Sequence, residues 1–598
     1  MLRLLSVLFC AALLALSGDA ATWAPKPGPL TTKWGRAVSP GKVLPEYPRP
    51  QLVRQKWQNL NGLWSYAVTP VDSPQPRVWD GQILVPFPVE SALSGVKRPL
   101  DETQRLWYKR AFSVPPGWRG QRVLLHFGAA DWDTAVWVGG KLVGTHRGGY
   151  DPFTLDVTAA LKGSGPQELV VRVWDPSDAG GQPRGKQVRQ PREIWYTPSS
   201  GLWQTVWIEP VPAHHVVGLK MVPDIDQGEL RLMVDAPAGD TVRAVALDGR
   251  AAVGQVSGRA GTPLSLRLKA PRLWSPDHPT LYRLTVELRH AGKPADRVSS
   301  YFGMRKISLG KDAKGVTRLL LNNRPLFQLG VLDQGFWPDG LYTAPSDAAL
   351  RSDLETLKRL GFNMVRKHVK VEPERWYYHA DKLGLLVWQD MPSGDETSEQ
   401  GGPDISRTEG SAANFEAELG RLIESHANHP SIVMWVLFNE GWGQYDTARL
   451  TKVVKRLDPS RLVDSASGWN DRHVGDVADL HRYPGPDAPA PEAARAAVLG
   501  EFGGLGLPLA GHTWQSEANW GYRSFTDRGA LTSAYEGLIN DLRPLVARGL
   551  SAAVYTQMTD VEIEVNGLLT YDRALLKMNE GRVRAAQREL FRGANATP

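Results

Sequence analysis

Residues 432–440 read Ile-Val-Met-Trp-Val-Leu-Phe-Asn-Glu, an unbroken apolar run that ends in an amide and a carboxylate. A short run of this kind, rich in β-branched and aromatic residues, predicts a strand that is buried on both faces, as in parallel sheets covered by helices. A second apolar run, residues 496–500, ends in the same way at Glu501. The two runs together predict a parallel barrel whose strands carry acids at their C-terminal ends.

The sequence around these runs supports the barrel. From about Gly303 onward, strand-like runs alternate with helical ones, which is typical of βα units. Strands are predicted at residues 325–330, 363–368, 385–390, 432–438, 462–465, 477–480, 496–501 and 552–556. Helices are predicted at residues 346–360, 374–383, 414–428, 447–457 and 531–548. Eight strands in this length predict a (β/α)8 TIM barrel over residues 303–598.

The first half of the chain has a different pattern, with short alternating runs separated by turn residues. Residues 122–127 and 134–138 are two such runs, and Gly139-Gly140 after the second predicts a hairpin. We interpret residues 21–212 as a jelly-roll β-sandwich that resembles sugar-binding domains. A second set of strand patterns over residues 213–302 predicts an immunoglobulin-like β-sandwich.

Two carboxylates at strand ends have a chemical meaning in a parallel barrel. Active sites lie at the C-terminal ends of barrel strands, and cleavage of a glycosidic bond needs two carboxyl groups facing one pocket. The alternative is that each acid only caps the helix that follows its strand. Because Glu440 and Glu501 repeat the same pattern, we favour a glycosidase with these two residues as its catalytic pair.

The N-terminus predicts export. Met1-Leu2-Arg3 and the apolar stretch up to Leu16 resemble a secretory signal peptide over residues 1–20, too short to span a bilayer, although a retained anchor is the alternative. The single cysteine, Cys10, lies in this segment, so we expect no disulfide in a mature periplasmic or secreted bacterial protein. The 70 Lys+Arg are scattered among 63 Asp+Glu, which gives no support for a nucleic-acid partner. We expect no membrane association after signal cleavage.

Several motifs, in this order and spacing, resemble glycoside hydrolase family 2, the family of bacterial β-galactosidases, β-glucuronidases and β-mannosidases. They are Leu106-Trp107-Tyr108-Lys109-Arg110, Gly148-Gly149-Tyr150-Asp151, Ser200-Gly201-Leu202-Trp203-Gln204, Phe302-Gly303-Met304-Arg305-Lys306, Gly361-Phe362-Asn363-Met364-Val365-Arg366 and Phe438-Asn439-Glu440. The resemblance implies that Glu440 is the acid/base and that Glu501, within Gly500-Glu501-Phe502-Gly503, is the nucleophile.

The resemblance also implies supporting residues. Arg366 would support the nucleophile, Tyr483 would donate to it, and Asn439 would bind the 2-hydroxyl of the sugar. With less support, we expect the sugar pocket to include His368, Asp390, His481, Trp514 and Gln557. For each residue the alternative is an ordinary structural role, as an ion pair or a packed loop side chain.

The sugar is the least constrained part of the prediction. Glucuronidases of the family carry an Asn-x-Lys that holds the uronate, whereas this chain has Asn566-Gly567-Leu568, and a buried carboxylate without a partner is unfavourable. We therefore expect a retaining exo-β-glycosidase for terminal β-D-hexosides, galactosides first. A β-mannoside, a β-glucuronide, a plant or algal oligosaccharide, and a non-catalytic carbohydrate-binding protein remain alternatives.

The predicted partner is an oligosaccharide or a substrate derived from a polysaccharide, and the oligomeric state is left open. No cofactor is needed for chemistry that two carboxylates can carry out. The acidic stretch at residues 560–564 lacks the spacing of a calcium loop. We therefore expect no metal in the site and interpret this stretch as structural or substrate-facing, with a bound structural metal as the alternative.

Overall fold

The computed structural model describes residues 23–163 and 165–595. The predicted signal peptide and Cys10 lie outside these residues. Within them, no helix combines the length and the apolar composition that crossing a bilayer requires. The chain forms two β-sandwiches followed by a barrel, which confirms the predicted fold class.

The first sandwich contains a six-stranded and a four-stranded antiparallel sheet. In spatial order the larger sheet contains Gly81–Val85, Gly62–Pro70, Gln104–Ser113, Pro166–Trp174, Asp133–Val138 and Lys141–Arg147, and the smaller sheet contains Gln58–Asn59, Val206–Val211, Arg122–Phe127 and Phe153–Asp156. The predicted hairpin is present, since Val138 pairs with Lys141. Its turn residues Gly139 and Gly140 have φ of +57° and +80°, a conformation that glycine adopts without a steric penalty.

The second sandwich is smaller and also antiparallel. Its three-stranded sheet contains Gly218–Asp224, Glu229–Asp235 and Leu264–Arg267, and its four-stranded sheet contains Ala251–Arg259, Thr241–Asp248, Tyr282–His290 and Lys293–Phe302. Alternate residues of Tyr282–His290 are buried, as expected for a sheet with one face on a core.

The barrel consists of eight parallel strands. They are β1 (Gln328–Asp333), β2 (Met364–Lys367), β3 (Leu386–Asp390), β4 (Ile432–Val436), β5 (Leu462–Asp464), β6 (Val477–Arg482), β7 (Ala496–Gly503) and β8 (Leu550–Thr556). The sheet order runs β5-β4-β3-β2-β1-β8-β7-β6. At the seam between β5 and β6, the backbone N–H of Asp476 donates to the Val463 carbonyl over 2.8 Å and the Asp476 carboxylate accepts from the Val463 N–H over 2.7 Å.

Six helices surround the barrel: α1 (Asp347–Leu360), α2 (Glu374–Leu383), α3 (Glu409–His426), α4 (Thr447–Leu457), α5 (Arg528–Arg548) and α6 (Glu580–Asn595). The Ser346 side chain accepts from the Ala349 N–H and caps α1. No helix follows β5 or β6 in the described chain, so the barrel departs from a full (β/α)8 pattern. The segment after β6 contains Pro484, Pro486, Pro489 and Pro491, which are incompatible with a continuous helix.

One end of the barrel is closed by a hairpin of Ile307–Lys311 and Thr317–Leu321. Leu319 and Leu321 belong to the same apolar cluster as the barrel residues Met364 and Trp388. Arg318 donates to the Leu550 carbonyl over 3.0 Å, at the beginning of β8. The hairpin therefore covers the N-terminal end of the barrel, and the opposite end is where the strand-end acids lie.

Candidate active site

Glu501 lies within β7, and Glu440 lies four residues after β4. The backbone of Glu440 is left-handed, with φ of +49°, a conformation that is strained for a non-glycine residue and is held in place by its surroundings. The Glu440 N–H donates to the Ser467 carbonyl over 2.9 Å. Gly441 follows with φ of +74°, and a Cβ there would approach the Ser398 carbonyl to 2.5 Å. The turn therefore depends on glycine and fixes the direction of the Glu440 side chain.

The two carboxylates face each other across His481. One oxygen of Glu440 lies 2.8 Å from His481 Nδ1, and Glu501 Oε2 lies 3.7 Å from the same nitrogen. An oxygen of each glutamate and a ring nitrogen of His481 all lie within 4.8 Å of one another. Glycosidases that retain configuration have their carboxyl groups about 5–5.5 Å apart, whereas inverting enzymes need roughly 6.5–9.5 Å to admit a water. An oxygen–oxygen distance below 4.8 Å is compatible with the shorter class.

Arg366, at the end of β2, connects three side chains at the base of the site. Its guanidinium donates to both Asp390 oxygens over 3.0 Å, to Glu501 Oε1 over 3.3 Å and to Asn439 Oδ1 over 2.7 Å. The side chain is fully buried. A buried, forked ion pair of this kind fixes geometry, because each lost partner would leave a charge without compensation.

His368 is held by the same carboxylate, since its Nδ1 lies 2.9 Å from Asp390 Oδ2. Burial lowers the pKa of His368 well below its ordinary value, and the nearby Lys186 charge lowers it further. The ring is therefore neutral at ordinary pH. Asp390 thus orients both Arg366 and His368.

The amide of Asn439 has one partner and one free donor. Its Oδ1 accepts from Arg366, which determines the orientation of the amide. Its Nδ2 is buried and has no hydrogen-bond partner among the described residues. Buried donors are nearly always paired, so this N–H₂ group is available to a ligand oxygen.

Tyr483 contacts the other oxygen of Glu501, donating over 2.5 Å. Its ring stacks on Tyr522 with centroids 3.7 Å apart and planes 3° from parallel. Burial alone would raise the pKa of Glu501, but the positive charges of His481 and Arg366 and the Tyr483 hydroxyl lower it to about 2. Glu501 is therefore ionised over the whole ordinary pH range.

A short chain of hydrogen bonds contacts His481 at Nε2, on the side of the ring away from Glu440. Ser467 Oγ donates to Asp479 Oδ2 over 2.5 Å and lies 2.8 Å from His481 Nε2. Because the single hydroxyl hydrogen of Ser467 is given to Asp479, its oxygen accepts the Nε2–H of His481. In a neutral His481 ring the lone pair on Nδ1 then points at Glu440. Burial opposes protonation of His481, but Glu501 and Glu440 outweigh it and raise its pKa.

Gln557 and Trp514 make their hydrogen bonds and ring contacts with residues other than the two glutamates. Gln557 directly follows β8, donates to Asn566 Oδ1 over 2.6 Å and keeps an unpaired buried oxygen. Trp514 is half-buried and meets the ring of Tyr571 edge-on, with centroids 5.6 Å apart. Within the described residues, no hydrogen bond or ring contact joins Trp514 to the glutamates. The roles expected for all ten site residues stay predictions.

The acidic stretch after β8 has its carboxylates bound by protein donors. Asp560 accepts from Lys577 Nζ over 2.6 Å, Glu562 accepts from the Thr197 N–H over 2.9 Å, and Glu564 accepts from the Tyr196 hydroxyl. These contacts agree with a structural interpretation. Among the described residues, groups with the composition and spacing to hold a cation are Glu440/His481/Glu501, His214/Asp240/His290 and Asp471/His473/Glu492.

Sequence reasoning missed several residues of this site. Ser467 follows β5 by three residues and Asp479 lies within β6, and no motif singled out either residue. Tyr522 lies in a loop, and Lys186, Trp195 and Tyr196 come from the first sandwich. The rings of Trp195 and Trp442 meet with centroids 4.9 Å apart, so the first sandwich contributes directly to the mouth of the barrel.

The chain was compared with known families and proteins. Three family models match: the sugar binding domain of glycosyl hydrolases family 2 over residues 84–182, glycosyl hydrolases family 2 over residues 215–305, and the family 2 TIM barrel domain over residues 315–496. Together they cover more than half of the chain. Arg366 and Glu440 lie within the barrel match, and Glu501 lies just beyond it.

Individual relatives are distant. The chain is 27% identical over 457 residues to a β-glucuronidase of Paenibacillus borealis, covering 70% of this chain and 74% of that protein. It is 28% identical over 477 residues to a β-galactosidase of Aeromonas hydrophila, covering 73% of this chain and 44% of that protein. The chain spans about half the length of several of its relatives.

Solved structures share the fold. The β-D-glucuronidase of Dictyoglomus thermophilum superimposes with a TM-score of 0.72 at 16% identity, covering 91% of this chain and 98% of that one. The β-glucuronidase of Ruminococcus gnavus in complex with D-glucuronic acid gives 0.71 at 18% identity, covering 92% and 100%. With the three family models matching in order along its sandwiches and barrel, the chain belongs to glycoside hydrolase family 2, a family of O-glycoside hydrolases.

Proposed function

We propose that this protein is a retaining exo-β-glycosidase that hydrolyses terminal β-D-hexosides by double displacement. The observation that carries the proposal is the pair of carboxylates, Glu440 and Glu501, with oxygens within 4.8 Å of each other at the C-terminal end of a parallel barrel. The environment of Glu501 keeps it ionised, as a nucleophile requires. Glu440 lies 2.8 Å from His481 Nδ1, so the two side chains together can hold a proton for the leaving group.

In the first step, a carboxylate oxygen of Glu501 attacks the anomeric carbon while the bond from that carbon to the aglycone oxygen breaks. Glu440 gives its proton to the departing oxygen, so the aglycone leaves as an alcohol. Arg366 and Tyr483 hold the two oxygens of Glu501 in position. Asn439 Nδ2, which has no hydrogen-bond partner in the described part of the chain, is placed to bind a sugar hydroxyl as charge develops on the ring.

In the second step, Glu440 acts as the base. It takes a proton from water, the water oxygen attacks the anomeric carbon, and the ester bond to Glu501 breaks. Two inversions at one carbon give net retention. The 2.8 Å contact with Glu440 allows His481 to share the transferred proton during both steps.

Two sugars are candidates at this site. A β-galactoside is supported by the absence of a lysine after Asn566, where Leu568 is fully buried in the core. A β-glucuronide is favoured by relatives that bear that name and by a buried cation elsewhere in the site, Lys186. Carbohydrate is the proposed partner in either case.

We also propose that the protein is exported, on the strength of the signal-like residues 1–20 alone. Fusing this segment to a reporter enzyme that is active only outside the cytoplasm tests the proposal. Reporter activity is expected with the native segment and should be lost when Leu4 and Leu5 are replaced by Asp. Activity from neither fusion would contradict it.

The test of the function is the configuration of the first product. The purified chain is incubated with 4-nitrophenyl β-galactoside, β-glucuronide, β-glucoside and β-mannoside, and the anomeric signals are followed by proton NMR. We expect the β anomer to form first, with the α anomer appearing only through mutarotation. The α anomer as first product would contradict a retaining mechanism. Complete inactivity of the folded chain on these and on natural oligosaccharides would favour a non-catalytic carbohydrate-binding protein.

A further inference from the structure

Lys186 reaches the barrel from a loop of the first sandwich. The backbone N–H groups of Arg184 and Gly185 both donate to the Ser393 carbonyl, over 2.7 and 2.9 Å, in the loop after β3. Gly185 has φ of +61°, and a Cβ there would lie 2.4 Å from the Val369 carbonyl. Only glycine allows this approach. The loop is therefore fixed against the C-terminal end of the barrel, and Lys186 has a defined position there.

Among the described residues, the Lys186 ammonium has no anionic partner. The side chain belongs to a residue that is only 5% exposed, and its Nζ lies over the rings of Tyr196 and Trp442, 5.6 and 5.7 Å from their centroids. Within the described residues, it makes no ion pair and no hydrogen bond from this nitrogen. Lysine is almost never buried unless it is paired, so this arrangement requires an explanation.

The other buried lysines of the described chain show the usual pattern. Lys367 lies 2.6 Å from Asp333, Lys370 lies 2.9 Å from Glu372, and Lys577 lies 2.6 Å from Asp560. Each therefore has a carboxylate in direct contact. Lys186 is the exception, and it is the one that lies at the candidate active site.

The position of Lys186 relates it to the catalytic cluster. Trp442, one of its two ring partners, follows Glu440 by two residues, and its ring centroid lies 6.0 Å from that of His368. Tyr196, the other partner, donates to Glu564 after β8. The ammonium thus lies between the loops that follow β4 and β8, at the same end of the barrel as the two glutamates.

We infer that Lys186 binds an anionic oxygen on the substrate sugar, either a uronate carboxylate or a sulfate ester. The inference rests on the proposed function and narrows its substrate to acidic β-glycosides. An ammonium group without an anionic protein partner is stabilised by an anion that arrives with the ligand, through a charge-assisted hydrogen bond. Lys186, which belongs to the first sandwich, would supply the positive charge that the segment Asn566-Gly567-Leu568 of the barrel lacks.

The test measures kcat/KM on matched acidic and neutral substrates. One arm uses 4-nitrophenyl β-glucuronide against β-glucoside, and the other uses monosulfated 4-nitrophenyl β-galactosides against β-galactoside. The variants are Lys186→Met, Lys186→Arg as the form that keeps the charge, and Lys109→Met as the control. Lys109 lies 4.6 Å over the ring of Trp79, so it offers the same kind of ring contact on the first sandwich.

We expect Lys186→Met to lose roughly 10- to 150-fold in kcat/KM on the acidic substrate, the range for a charged hydrogen bond, and to change little on the neutral partner. Lys186→Arg should retain part of the preference, and Lys109→Met should match the wild type. A loss confined to the uronide arm identifies a carboxylate, and a loss confined to the sulfated arm identifies a sulfate. Equal losses on acidic and neutral substrates, or no loss, would overturn the inference.

A binding measurement separates this inference from the proposed function. Calorimetry with sodium D-glucuronate, glucose 6-sulfate and D-glucose does not require turnover, and melting curves check that each variant is folded. If no glycoside is hydrolysed, the proposed function fails. Tighter binding of either anion by the wild type than by Lys186→Met would still support the inference that Lys186 binds an anionic group. Equal binding of both anions by the wild type and Lys186→Met would overturn the inference about Lys186.

Discussion

Asn439→Ala is the substitution whose effect can be worked out most fully from the geometry. The Oδ1 of Asn439 accepts from Arg366 over 2.7 Å, and its Nδ2 is the unpaired buried donor. The free donor is the group that would bind the 2-hydroxyl. A hydrogen bond that involves developing charge is worth about 1.5–3 kcal/mol. We therefore expect kcat/KM to fall by roughly 10- to 150-fold.

The assay is a thermodynamic cycle between the protein and the substrate. Wild type and Asn439→Ala are compared on the best nitrophenyl glycoside from the panel and on its 2-deoxy analogue. The 2-deoxy substrate should be poor for the wild type, and Asn439→Ala should lose little further activity on it. Asn439→Asp is the control for packing, because it keeps the size but has no N–H₂ group. Equal losses on the two substrates would refute the contact with the 2-hydroxyl.

The remaining predictions concern protonation and metal. Glu440→Gln should lower kcat/KM by roughly 10²–10⁴-fold on phenyl glycosides but much less on dinitrophenyl glycosides, whose leaving groups need no proton. Equal losses of kcat/KM on the two substrates would exclude a role of Glu440 as the acid. His481→Phe should move the alkaline limb of the pH profile of kcat/KM to lower pH, because it removes a group of raised pKa that contacts Glu440. His512→Phe, which removes a pair with Asp572, should not move it. The pKa of Glu501 falls from 4.5 to about 2 on folding, so its ionised form stabilises the fold fully above pH 4.5. The unfolding temperature should therefore drop as the pH falls from 4.5 toward 2. A smaller drop is expected in Glu501→Gln, and an equal drop in the variant and the wild type would contradict the lowered pKa. Activity should survive EDTA, since two carboxylates suffice for the chemistry, and recovery only on adding a divalent cation would contradict this.

The fold was largely predictable, because its signals are local. The buried strands β4 and β7 are continuous apolar runs, and their short length and β-branched or aromatic content favour a strand over a buried helix. Helices α2 and α4 begin and end at the residues where their patterns predict. Helix α3 begins at Glu409, five residues before its predicted start, because Thr408 caps it in a segment without a clear apolar stripe.

The site was predictable only where a residue sits at a strand end. Glu440, Glu501, Arg366 and Asp390 are delivered to one point by parallel strands, so their proximity follows from the topology. The support of His481 by Ser467 and Asp479 depends on the close approach of β5 to β6, which no pattern encodes. Lys186 depends on a contact between two domains, and a lone lysine in a glycine-rich loop gives no signal of it.

The central claim is that Glu501 forms a covalent bond to the sugar. It is tested most directly by incubating the protein with the 2-deoxy-2-fluoro-β-glycosyl fluoride of its preferred sugar, which slows the second step so that the intermediate accumulates, and then mapping the modified peptide by mass spectrometry. We predict one added fluorosugar per chain, located on Glu501, and no label in Glu501→Gln. A label on Glu440 or on any other residue would contradict the account.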